Sequence, residues 1–228
     1  MNSPSPFRLR LYAITFATVL GAQATWFLAA ELTRPSIVFF PTDQSEIENL
    51  IVYRDAAAIA SRIGWPRGDL WVDYALTVDA EILSQIETAA PGAHGTSEVI
   101  NLVTTHAATL APYDARAWLL LSAINAKPGW KDDKILAQLK MSYYTSPNDI
   151  RLIPLRIQIA TRSDSIADEE LQNLVGHEIR TIVVRAPILK PVIATAYRRA
   201  SPAGRRLIEA KLAEFDPKFL TELRATKP

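Results

Sequence analysis

The sequence predicts an all-α protein: one membrane-spanning helix followed by an antiparallel array of shorter helices. Three observations predict it. From Leu11 to Ala30 the chain is almost continuously apolar, and no acidic residue precedes Glu31. A helical run of about twenty such residues crosses the hydrocarbon core of a bilayer. Beyond it, apolar residues recur at three- and four-residue spacing, the period of helices with one buried face. Turn residues, among them the fifteen prolines, cut that pattern into short segments, and the β-branched alternation that marks strands is scarce.

With 228 residues, 49% hydrophobic and 21% charged, the chain is large enough for a packed core. It contains no cysteine, which excludes a lipid-attachment cysteine, disulfides and thiolate chemistry. Stability has to come from packing.

The first element admits two main readings. As a signal-anchor, residues 1–33 form a cytoplasmic stub and a span, with Arg8 and Arg10 held inside and everything after Glu31 exported. As a cleavable signal, Leu11 to Gly21 is the apolar region and Ala22-Gln23-Ala24 the cleavage site. The apolar run outlasts that site through Trp26, Phe27, Leu28, Ala29 and Ala30. Trp26 and Phe27 also suit the interfacial end of a span, which favours the anchor. A soluble core helix and an organellar transit peptide are the remaining readings. In a bacterium, the anchor places the chain in the inner membrane as a single-pass protein with its C-terminal domain outside the cytoplasm.

Residues 34–42, RPSIVFFPT, read as a linker, and 43–225 as the helical domain. Asp43 with Glu46 forms a capping box for a helix to about Arg62, with Ile47, Leu50, Ile51, Ala58 and Ile59 as its buried stripe. Gly64-Trp65-Pro66-Arg67-Gly68 breaks it. Asp69 is expected to cap a helix to about Glu87 through Leu70, Tyr74, Val78 and Ile82. The Pro91–Gly95 stretch is a loop, and Ser97 to Leu110 a helix carrying Ile100, Val103 and Ala107. Asp114 to Ala126 forms another helix, Lys127-Pro128-Gly129 a turn, and a partner helix carries Ile135, Leu139 and Tyr143. Ser165 with Asp168 opens a helix bearing Leu171, Leu174, Val175, Ile179, Ile182 and Val183, and Pro187 opens one to about Arg199. Ser201-Pro202 and Asp216-Pro217 each pair an N-cap residue with proline at the first helical position.

Pro112-Tyr113-Asp114-Ala115-Arg116 and Pro147-Asn148-Asp149-Ile150-Arg151 share the pattern P-x-D-x-R at a separation of 35 residues. That is close to one tetratricopeptide unit. With Trp118 at the large position of the first helix, Ser122 at the small one, Ala126 near the turn and Pro147 closing the second helix, residues 113–147 resemble the tetratricopeptide-repeat family. The resemblance implies an α-solenoid with a recognition surface. In the second copy Ile153 replaces Trp118, and Pro154 is expected to kink or delay the helix.

The motifs of catalysis are missing. His94, His106 and His177 share no metal spacing, and Gly176-His177-Glu178 lacks the second histidine of a zincin helix. Asp132-Asp133 and Asp168-Glu169-Glu170 lie at helix starts, where the dipole favours negative charge. No cofactor, metal site or enzymatic role is expected.

Two features suggest recognition instead. From Gly176 to Pro228, eleven Lys and Arg face five Asp and Glu, whereas Glu31 to Val175 holds twelve against nineteen. Arg198, Arg199, Arg205 and Arg206 cluster around Ser201-Pro202 and suit an anionic partner: lipid headgroups, a polysaccharide or an acidic protein face. Trp65 and Trp130, in breaker-rich turns, either pin those turns to the core or offer stacking platforms. Nucleic acid does not fit an exported domain. The expected role is a membrane-anchored scaffold or adaptor that mediates protein–protein interaction in envelope assembly or polysaccharide export. The alternative is an envelope enzyme or saccharide-binding accessory with its site in an inter-helix groove.

Overall fold

The computed structural model describes residues 6–35, 40–41, 44–88, 98–126 and 132–225. It is all-helical, with twelve α-helices and no strand among the described residues. The 91–95 loop, the 127–129 turn, Asp43, His94 and Trp130 fall outside them.

Helix α1 (Pro6–Thr33) contains a stretch, Phe7–Thr33, long and apolar enough to cross a membrane. Its side chains are almost all uncovered by protein, from Phe7 to Leu32. Ala30 is the exception, fully buried against Ala60 and Leu70.

The helix expected from Asp43 to Arg62 bends at Tyr53 into α2 (Gln44–Val52) and α3 (Arg54–Ile63). Hydrogen bonds continue through the bend, Tyr53 N donating to Asn49 O and Ala57 N to Tyr53 O. The bend changes which face is buried. Ile47 and Leu50 enter the core as expected, but Ile51 and Ile59 are exposed, and α3 buries Ala57, Ala60 and Ser61. Small residues win there because three helices meet closely. A Cβ on Gly64 would stand 2.3 Å from Leu70 Cδ1 and 3.2 Å from the Ala30 Cβ. Of the segment read as a linker, Pro35 and Phe40 are buried.

Helix α4 (Gly68–Thr88) begins one residue before Asp69, whose carboxylate pairs with Arg67 and Arg34 instead of capping. Then follow α5 (Glu98–Leu110), α6 (Ala115–Asn125) and α7 (Asp132–Thr145). Asp114 caps α6 by accepting from Arg116 N, and Ile135, Leu139 and Tyr143 are buried on α7. The D-x-R pattern builds the same device twice. Arg116 N lies 2.9 Å from Asp114 Oδ1 and its guanidinium 2.7 Å from Oδ2; in the second copy Arg151 N is 3.1 Å from Asp149 Oδ1 and its guanidinium 2.8 Å from Oδ2.

Trp118 is half-buried, packed on the core with Nε1 donating to Pro112 O at 2.8 Å. Large aromatic truncations in full cores cost about 3–5 kcal/mol. At this half-buried site Trp118→Ala is expected to lower stability by about 3 kcal/mol in denaturant unfolding, the weak end of that range.

Helix α8 (Ile153–Arg162) starts late, with Pro154 in its first turn, and Ile153 is buried where Trp118 stands in the first copy. Ser165 does not cap α9 (Glu169–Arg185). Ser163 opens a short 3-10 turn over Asp164–Ala167, and Asp168 caps α9 through Leu171 N. Pro187 likewise opens a 3-10 turn, so α10 begins at Lys190 (Lys190–Arg199). Ser201 and Asp216 cap α11 (Pro202–Phe215) and α12 (Pro217–Ala225) as expected, accepting from Gly204 N and Phe219 N. Gly204 lets α11 touch α8: a Cβ there would lie 2.1 Å from Thr161 O.

One continuous core runs from Phe40 and Ile47 to Leu220 and Leu223. Along it α2 packs on α4, α4 on α5 and α6, α6 on α7 and α8, α8 on α10, and α9 on α11. The main helix contact of α1 is α3, and that of α12 is α11.

Candidate functional site

Four charged elements meet where α1 ends. Arg67 reaches Glu31 at 2.8 Å and Asp69 at 2.7 Å; Arg34 reaches Asp69 at 3.1 Å and Asp73 at 2.7 Å. Arg116 continues the lattice to Asp73 at 2.8 Å and to Asp114 at 2.7 Å. Asp73 is buried. Burial pushes its carboxyl up, while Arg116 and Arg34 pull it down. These groups bind one another, so the lattice joins α1 to α4 and α6.

The far end of the helix succession carries a different surface. Ala194, Tyr197 and Arg198 of α10, Arg205 of α11, and Phe219, Glu222, Leu223 and Arg224 of α12 line an open cleft of about 360 Å³. Capping by Ser201 and Asp216 fixes the turns that fold α11 and α12 back to form it. Arg205 donates to Arg198 O at 3.0 Å and lies 5.8 Å from the Tyr197 ring centroid. Tyr197 donates to Glu209 Oε1 at 2.6 Å, and Arg224 pairs with the other oxygen of Glu209.

Of the four clustered arginines, Arg198 and Arg205 line the cleft. Arg199 is half-buried, and its charge adds to the burial that lowers Arg162; Arg206 is exposed outside the cleft lining. Sequence clustering missed Arg224, which only the return of α12 brings in. Trp65 belongs to neither group: it sits in the α3–α4 turn and is 60% exposed. His177 is exposed, and His106 packs edge-on against Trp71 at 4.4 Å. No group of three or more His, Asp or Glu able to hold a metal occurs among the described residues.

Hydrogen bonding to Glu209 raises Tyr197, and the same bond with that of Arg224 lowers Glu209. Both shifts run away from neutral pH. The carboxyls shifted toward neutrality lie elsewhere. Burial pushes Asp79 up to about 8 and Glu178 up to about 7, and both side chains are sealed in the core. Comparison with protein-family models, curated proteins and solved structures finds no match to the chain.

Proposed function

We propose that this chain is a membrane-anchored scaffold or adaptor, exported beyond its membrane, that holds an acidic partner at its distal end. The carrying observation is placement: the cleft of Arg198, Arg205 and Arg224 lies on α10–α12, whose main contacts are with α8, α9 and one another, whereas α1 joins at α3 and α4. A cationic surface built to grip the lipid of its own bilayer belongs beside the anchor. This one stands at the other end of the helix succession, which favours an acidic protein face.

The array is read as an α-solenoid of tetratricopeptide type. Support comes from the serial packing of α4, α6, α8 and α10, and from the duplicated Asp–Arg device at a 35-residue spacing. Such arrays expose extended recognition surfaces. An acidic saccharide is the second reading, favoured by the aromatic edge that Tyr197 and Phe219 give the cleft.

Charge reversal tests the surface. Arg198→Glu with Arg205→Glu is expected to reduce partner crosslinking in cells by about tenfold, and to weaken binding more at low salt than at high salt. Exposed charges contribute little to folding, so unfolding should shift by less than about 1 kcal/mol. Arg206→Glu, outside the cleft, should do little. Equal loss in Arg206→Glu would reduce the effect to net charge, and normal binding by the double variant would remove the cleft from the reading.

A further inference from the structure

We propose that the α3–α4 turn is a second contact with the bilayer, in which the Trp65 ring and Arg62 occupy the interfacial layer beside α1; this rests on α1 being the membrane helix.

The depth of the turn is bracketed from both sides. Trp26 Nε1 donates to Ile63 O, so the end of α3 stands level with Trp26. Four residues on, Arg67 pairs with Glu31 at 2.8 Å. Ala30 packs on Ala60, so α3 runs antiparallel to α1 and points its C-terminal end toward the apolar run. At about 1.5 Å per residue, the five residues from Trp26 to Glu31 span about 7–8 Å. One interfacial layer of a bilayer is about 5–8 Å thick, the difference between its full and hydrocarbon thickness shared between two faces. Gly64, Trp65 and Pro66 fall inside that interval.

The exposed chemistry matches the depth. Trp65 is 60% exposed, and Trp26, on the neighbouring helix, 48%. Indoles concentrate at this level of a membrane. Ile59 is 48% exposed on α3, one turn before Ile63, and Arg62 beside it is exposed and supplies a cation for phosphate headgroups.

The backbone of the turn is prepared for scarce water. Ile63 O accepts from Trp26 Nε1, Gly64 O from Arg67 N at 2.7 Å, and Trp65 O from Trp71 Nε1 at 3.1 Å. Three successive carbonyls, that of the last residue of α3 and the two beyond it, thus all have protein partners, two of them tryptophan donors. An exposed turn in water needs no such provision, since solvent serves its carbonyls; a turn at lipid depth does.

The chain has no cysteine, so single probes can be placed without background. The full-length protein carrying Trp65→Cys, Ile59→Cys, Leu20→Cys or Val184→Cys, labelled with an environment-sensitive fluorophore, is reconstituted in phosphatidylcholine vesicles. Nitroxide lipids with the spin label near the headgroup or at mid-chain act as quenchers. The expected result is at least about twofold quenching at 65 and 59 by the shallow nitroxide, quenching at 20 by the deep one, and none at 184. Quenching at 20 with positions 65 and 59 as bright as 184 overturns the second contact and leaves the anchor standing. No quenching at 20 overturns the membrane reading of α1, and the proposal falls with it. Energy transfer between probes at 65 on separate chains, without lipid quenching, assigns the surface to a second copy and also overturns it. The probe at 59 decides the question if Trp65→Cys does not fold.

Discussion

Replacing Arg156 with leucine is expected to cost the fold about 3–5 kcal/mol, because it strands a carboxylate in the core. Arg156 is fully buried, and its guanidinium ties α8 to α7 and α9. It donates to Ser142 Oγ at 3.0 Å, to Ser142 O, and to Ser146 O at 3.0 Å, so it caps the C-terminal end of α7 with a cation. It also faces Glu178 Oε1 at 3.4 Å and lies 4.6 Å from the Tyr143 ring centroid. Tyr143 donates to the other Glu178 oxygen at 2.8 Å. Without Arg156, Glu178 keeps only the phenol. The loss should be smaller at pH 5 than at pH 8, since a protonated carboxyl needs no counter-charge. Adding Glu178→Leu should recover part of the loss, because an apolar pair of similar volume replaces a buried ion pair at little cost. Denaturant unfolding of the two variants at both pH values checks this. Equal losses at pH 5 and pH 8 would show that the capping of α7, not the charge, dominates.

Asp79→Asn should act in the opposite direction. Asp79 is 1% exposed; its Oδ2 lies 2.9 Å from Thr104 Oγ1, and its Oδ1 has no partner among the described residues. Thr104 Oγ1 also lies 2.9 Å from Ile100 O. A hydroxyl has one proton, so a neutral Asp79 that donates to Thr104 while Thr104 donates to Ile100 satisfies both contacts. Burial pushes this carboxyl up to about 8, against about 3.9 in the unfolded chain. The sign follows from proton counts. Between those values the unfolded state has released its proton and the folded state has kept it, so stability falls as pH rises. Below about pH 4 both states are protonated, and above about pH 8 both are ionised, so the dependence is flat outside the window. Asp79→Asn removes the penalty and should stabilise the protein by about 2–4 kcal/mol at pH 8, with little effect at pH 4. Thermal unfolding of both proteins across that range tests it. A wild-type curve that stays flat from pH 4 to pH 8 would mean Asp79 is ionised with a counter-charge.

Several elements were legible because their signals are local. Ser201-Pro202 and Asp216-Pro217 are capping pairs whose partners lie three residues on, and both cap as the sequence predicts. The Ile135, Leu139 and Tyr143 stripe was legible because the face it buries is continuous. The phase of α3 was not. A bend at Tyr53 and the close approach of α1 turned small residues inward, and neither is local. Arg156 passed unremarked although Leu155, Ile157 and Ile159 flank it; a cation in a helix apolar on every face is a sign of a buried pair. Asp73 and Asp79 carry the same sign on α4, amid Leu70, Val72, Ala75, Leu76, Val78 and Ala80. The cleft was half-legible: Arg198 and Arg205 are near in sequence, and Arg224 arrives only through packing.

On the proposed reading of α1 as a membrane anchor, the lattice from Glu31 to Arg116 would also govern the posture of the domain above the bilayer. A head hung on nine unstructured residues wanders over about 15–18 Å and meets its partner at any heading. Here the chain is clamped on the residue after α1 ends, as Arg34 takes hold of Asp69 and Asp73. On that reading such a head would ride as a post rather than a buoy, its tip keeping one altitude and one bearing relative to the helix that plants it. For a partner embedded in the same membrane, the search then becomes planar, and part of the orientational freedom usually surrendered on association is already gone.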